Sequence, residues 1–282
     1  MANYYYLVSS LVDLELDGPR LGEGLKKWFF HAMDEMHESD FEQVRKLFLY
    51  NDIKNTILLH FFKKKRQEDY ATPAYYDELT FEENKKDTSG FLPFLAKFYE
   101  LKKQGKRLYA HLPETDELTT LFYEDLDSIT EPGFLRDYFN FELNLRNINC
   151  ALAFRKNGLP VSAKLIPCGL AYELICKNES APDFGLTDEF PFIGKLMAQS
   201  DDGSLYGSEM AIEHIRWAWL DERVDNNYFS TDAIIAFFVK LMSIERWEVL
   251  SQEKGDELFN GLMNTIKRSI RFSIEFITTG EK

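Results

Sequence analysis

A chain of 282 residues, 45% hydrophobic and 15% aromatic, has enough apolar material for one large domain or two to three small lobes. A formal net charge of −14 and an isoelectric point near 4.9 argue against a free-standing nucleic-acid binder, which needs a basic field over the phosphates. Three cysteines, Cys150, Cys168 and Cys176, are an odd number at spacings matching no common zinc pattern, so a disulfide framework is not expected and a reducing compartment is favoured.

The opening MANYYYLVSS lacks the basic region and apolar core of a signal peptide, and its Tyr4–Leu11 stretch is ambiguous between strand and helix. Gly24–Met36 reads as a helix. Ser39-Asp-Phe-Glu42 is a capping box, predicting a helix through Phe48 and, after a break near Asn51, on to Phe62. Thr80-Phe-Glu-Glu83 is a second capping box, for a short helix. Pro93 and Pro113 suit the first turns of helices reaching about Gln104 and Asp127. Pro132 opens a long helix that Asn157-Gly158-Leu-Pro160 ends. Shorter helices follow at Leu170–Lys177 and Phe192–Gln199. Two long ones close the chain, Tyr206–Asn226 and, capped by Ser230, Thr231–Thr278 with an interruption near Gly255. The expected fold is all-α. The seams Lys64–Tyr75, Ser128–Pro132 and Ala181–Pro191 suggest an N-terminal part (1–128), a central lobe (129–190) and a C-terminal part (191–282), with one continuous unit as the alternative. The strongly apolar run Ala233–Val239 is too short to cross a bilayer, which takes about 20 residues. A cytoplasmic chain that meets a membrane only through partners is expected.

The helix following Pro132 carries two apolar stripes on opposite sides: Phe139, Leu143, Cys150 and Phe154, and Phe141, Leu145, Ile148 and Leu152. Such a helix lies between two layers of protein. Its polar residues must then find partners. Asn144, Arg146, Asn147 and Arg155 are the candidate structural or partner contacts, either tying helices at a partner-facing surface or capping loop backbone internally.

Sequence motifs for chemistry are sparse. Neither a P-loop, a dinucleotide fingerprint nor a nucleophile elbow occurs, and the five histidines form no metal-binding pattern. No catalytic residue, cofactor or metal ligand is expected. With 47 acidic residues, adjacent carboxylates such as Asp201-Asp202 and Asp221-Glu222 read as solvated helix faces. A helical hydrolase using buried acids and His214 is the enzymatic alternative. Lys63-Lys-Lys-Arg66 is the dense basic cluster and suits a helix C-terminus. Arg216, Trp217 and Trp219 read either as an interface anchor or as part of a buried stripe.

The segment Asn147-Ile-Asn-Cys-Ala-Leu-Ala-Phe-Arg155 resembles the Asn-Ile/Leu-x-x-x-Leu-x-x-Arg helix of the C-type subunit of V/A-type ATP synthases, the d-type subunit in eukaryotes. Asn3–Leu11, and Phe238–Gly255 with Lys240, Glu245, Arg246 and Trp247, are similar to the two ends of a bacterial family encoded with V-type ATP synthase genes. Asn144 stands where the C-type subunit often has an acid, and Ala153 where it often has a base. The resemblance implies an all-helical, three-lobed, funnel-like component of the central stalk without an active site. It would link the membrane rotor ring to the central shaft and sit peripherally at the inner face of the cell membrane. The other reading is a helical scaffold for some other protein.

Overall fold

The computed structural model describes residues 4–16, 18, 24–61, 70–202, 205–225 and 227–250. Among them the chain is all-α, with no strand. The helices are α1 (Tyr5–Ser10), α2 (Leu25–Glu35), α3 (Glu38–Leu47), α4 (Leu49–Phe61), α5 (Glu78–Asn84), α6 (Pro93–Lys103), α7 (Glu114–Glu124), α8 (Leu126–Ile129), α9 (Phe134–Lys156), α10 (Gly169–Lys177), α11 (Ile193–Asp202), α12 (Leu205–Val224) and α13 (Thr231–Leu250). The basic cluster at 63–66 and everything expected beyond Leu250, including the break at Gly255, lie outside the described residues.

Local chemistry explains most boundaries. Pro93 takes the first position of α6, where its missing N–H costs nothing. The Ser230 hydroxyl accepts the Ala233 N–H at 3.3 Å, capping α13. Asn157 follows the last turn of α9, and Gly158 turns the chain away at φ +65°. Arg155 and Lys156 place positive charge at that C-terminus, while Glu114, Asp116 and Glu117 crowd the first turn of α7.

One ambiguity is resolved and three local expectations are corrected. The stretch Tyr4–Leu11, ambiguous in sequence, forms the helix α1 over Tyr5–Ser10, held down by the Tyr4 hydroxyl, which donates to Asp40 on α3 at 2.6 Å. Ser39 does not cap α3. The cap position lies two residues earlier, at His37, whose carbonyl accepts the Asp40 and Phe41 N–H groups, and Glu42 turns instead to the Tyr75 hydroxyl (2.6 Å) and Arg45 (3.2 Å). Thr80 likewise lies inside α5, because Asp77 accepts both its N–H and its hydroxyl at 2.8 Å, and a carboxylate is a strong capping acceptor. The break expected near Asn51 falls at Phe48, whose side chain is buried.

Helix α9 runs through the centre. It packs against α10, α11 and α13 and against the 3₁₀ turn Val161–Lys164. Phe139, Leu143, Phe141, Leu145, Ile148 and Leu152 are all buried, so both stripes face protein. The first stripe loosens towards its end, where Cys150 and Phe154 are only half-buried. One hydrophobic cluster joins Tyr4 to Leu241, crossing all three segments drawn from the sequence. Within it α13 lies on α2 and α3, with Phe237 edge-on to Trp28 (5.5 Å between rings) and Phe238 edge-on to Phe48 (6.0 Å).

Candidate functional site

The polar residues of α9 divide into two groups. Asn147 is fully buried. Its amide nitrogen donates to the Ile166 carbonyl (3.0 Å) and its oxygen accepts the Ile166 N–H (2.9 Å). Asn144 accepts the Ala171 N–H at 2.9 Å, doing for the first turn of α10 what Cys168, at the cap position, does not. Arg155 donates to the carbonyls of Glu179 (2.6 Å) and Pro182, and its guanidinium lies 3.4 Å from the centre of the Phe184 ring. Phe184 is fully buried at φ +55°, a strained backbone for a bulky residue that these contacts help to hold. These three residues therefore tie the loops on either side of α10 to the central helix.

Arg146 belongs to a different place. It faces a polar groove of about 580 Å³ framed by α4, α7, α9, α12 and α13. There it pairs with Asp116 at 2.7 Å, while its Nη1 is buried with no hydrogen-bond partner. Deeper in, Arg216 of α12 grips Glu142 of α9 with two nitrogens (2.5 and 3.0 Å) and Glu213 at 2.7 Å. Glu213 is fully buried and also accepts the Ser243 hydroxyl of α13 at 2.7 Å. Burial works against the charge of Arg216, but Glu142, Glu213 and their hydrogen bonds outweigh it and hold the guanidinium firmly protonated. Arg246 of α13 pairs with Glu209 of α12. At the groove's edge, partial desolvation and then Arg246 lower the pKa of Lys54. The Tyr50 and Tyr123 hydroxyls bond each other, and Tyr123 donates onward to the Phe139 carbonyl at 3.1 Å. Burial raises both phenols well above their ordinary range.

The groove is thus a lattice of ion pairs and hydrogen bonds between helices far apart in the chain, suited to resisting relative movement of α9, α12 and α13. Within it Glu213 and His214 do not come together. Glu213 Oε2 takes both Arg216 and Ser243, while its buried Oε1 makes no hydrogen bond among the described residues and lies 3.7 Å from Arg246; His214, the next residue, is exposed on the other side of α12 with Nδ1 at 2.8 Å from the Met210 carbonyl. No group of three or more His, Cys, Asp or Glu able to hold a metal occurs among the described residues. His214 instead borders an apolar cleft of about 760 Å³ between α11 and α12, floored by Phe141 and Trp219, whose rings stack 4.8 Å apart.

From the sequence, Arg216 reads either as an interface anchor or as part of a buried stripe, and its partner 74 residues away carries no signal. A second polar site, on α4, also escapes the sequence patterns. Asn51 donates to the Pro73 carbonyl (2.7 Å), Asp52 accepts the Tyr75 and Tyr76 N–H groups (2.7 and 3.2 Å), and Asn55 closes both bonds of Ala71 (2.8 and 3.0 Å). Three polar residues within two turns of one helix were the available signal.

No helix among the described residues is long and apolar enough to cross a membrane. No curated protein and no solved structure matches the chain. Residues 1–270 match the model of a family described as Protein of unknown function (DUF2764), and the chain is a member of that family.

Proposed function

We propose that this chain is a non-catalytic component of the central stalk of a V-type ATPase, akin to the C-type subunit, joining the membrane rotor ring to the central shaft at the inner face of the cell membrane. The observation that carries the reading is the segment Asn147–Arg155, where the resemblance lies. Its asparagine and arginine are spent on fixing the loops around α10, and its Ile148, Ala151 and Leu152 are buried against neighbouring helices. A part that transmits torque needs such stiffness: close-packed aromatic helices resist deformation, and the Arg216 ion pairs resist sliding of α12 along α9. An acidic body complements basic partner surfaces.

The apolar cleft between α11 and α12 favours a second reading, a helical scaffold for a different protein. One experiment separates them. The tagged chain is purified from its native host, and the gene is deleted in parallel. Under the first reading the ring and shaft proteins co-purify, and membranes from the deletion strain hydrolyse ATP without pumping ions. Normal pumping by those membranes, or no ATPase component in the purified material, rejects the first reading in favour of the scaffold.

A further inference from the structure

At the end of the bundle where α12 turns into α13, the chain exposes aromatic side chains beside acidic ones. Tyr228 is 59% exposed and Tyr5 58%, and Phe229 also reaches the surface. Tyr5 and Phe229 form one patch, their rings 4.5 Å apart and the Tyr4 N–H donating to the Phe229 carbonyl at 2.7 Å, and Tyr228 is the adjoining residue of the chain. The Tyr228 hydroxyl donates to Asp225 at 3.2 Å. Exposed single aromatics are ordinary, but a cluster drawn from two distant parts of the chain needs a reason.

The charges around the patch say what would cover it. Asp137, Asp221, Asp225 and Asp232 share two cations: Arg223 pairs with Asp137 at 3.0 Å and Lys240 with Asp221 at 2.5 Å. Among the described residues, no cation lies within ion-pair distance of Asp225 or Asp232. Arg223 already uses the available chemistry, lying 5.0 Å from the centre of the Trp219 ring while it holds Asp137. A guanidinium is the group that satisfies both halves of this surface at once, its plane on an aromatic ring and its N–H fork on a carboxylate.

We infer that this end of the bundle is a docking surface for an arginine-bearing protein segment, with Tyr5, Tyr228 and Phe229 as the platform and Asp225 as the carboxylate. The surface stands independently of which assembly the chain joins.

The test uses the full chain and blocked hexa-arginine and hexa-lysine peptides, titrated by calorimetry at moderate salt. Any strongly acidic protein attracts such peptides, so the deciding variant keeps the net charge: Tyr5→Ser with Tyr228→Ser, both exposed, with the thermal midpoint measured to confirm folding. The expected results are saturable binding, arginine preferred over lysine, and a loss of about fivefold or more in the double variant, the sum of two modest cation–aromatic contacts. Removing two remote acids, Glu83→Gln with Glu173→Gln, should change affinity less than about twofold, as screening at that salt limits distant charges. If the tyrosine variant binds like the parent, if the remote variant loses as much, or if no saturable binding occurs, the surface is not a guanidinium platform.

Discussion

Asp52 sits wholly buried on α4, accepting two backbone N–H groups from the segment after Pro73. Burial raises its pKa from the ordinary 3.8 to about 7, and the N–H bonds from Tyr75 and Tyr76 only partly oppose this. The folded chain therefore holds a proton on Asp52 between about pH 4 and 7 that the unfolded chain releases. Stability from this group is fully present below the unfolded value, falls as pH rises towards 7, and is level above it. Asp52→Asn cannot titrate. Its amide nitrogen would face an N–H donor, a cost independent of pH. Urea unfolding from about pH 5.5 to 8 should show the parent losing its advantage over Asp52→Asn as pH rises, by about 1.4 kcal/mol per unit at most. A difference that stays constant with pH would place the folded pKa of Asp52 near its ordinary value. Asn147 makes a complementary case without charge. Asn147→Leu strands the Ile166 N–H and C=O inside the protein and should cost about 1–3 kcal/mol in the same assay.

At the scale of the element, α9 is gripped unequally along its length. Leu143 is almost wholly buried, and Leu143→Ala should cost about 2–5 kcal/mol by leaving a cavity. Phe154, half-buried near the last turn, should cost less on truncation although its ring is larger. Equal losses in the urea midpoint would contradict that gradient. The junction of α9 with α10 is also tight at Gly169, which sits at φ +84°, and a Cβ there would stand 2.9 Å from Leu143 Cδ2. Gly158 has a similar φ of +65° but open space around it. Gly169→Ala should therefore destabilise more than Gly158→Ala, the excess measuring the clash rather than the backbone conformation. These features also show what the sequence could reveal. The two stripes, Pro93, Ser230 and the Asn157-Gly158 stop are local patterns, and the helices followed them. Ser39 and Thr80 failed because a neighbouring residue supplied the better start, and such competition is decided by which backbone carbonyl begins the helix. Asn147 and Arg155 were legible as polar groups on a buried helix, but not their partners. Arg216 and Glu142, or Asp52 and Tyr75, meet only through the tertiary fold, and no periodicity announces such pairs.

Across the whole molecule, the seams visible in the sequence and the packing pull in different directions. Division at about residues 128 and 190 would yield lobes with separate cores. Yet Trp28 and Phe48 from the first part pack on Phe237 and Phe238 from the last. Glu142 from the middle is held by Arg216 from the last. A fragment ending at residue 190 would leave Trp28 and Phe48 without their covering rings, and Glu142 without its guanidinium, a charge whose removal from a buried pair commonly costs about 3–5 kcal/mol. That loss is a large share of the net stability of an ordinary domain. The full chain should unfold in one transition, coincident by tryptophan fluorescence and far-ultraviolet circular dichroism. The 1–190 fragment should keep helical signal, bind a hydrophobic dye and melt without a sharp midpoint. A cooperative transition in the fragment, with native-like tryptophan emission, would mean that the N-terminal and central parts carry their own core and that α11, α12 and α13 are additions to them. Under the proposed stalk role the first behaviour is the useful one, since force applied at one end of a single cooperative unit cannot be relieved by opening a lobe at the other.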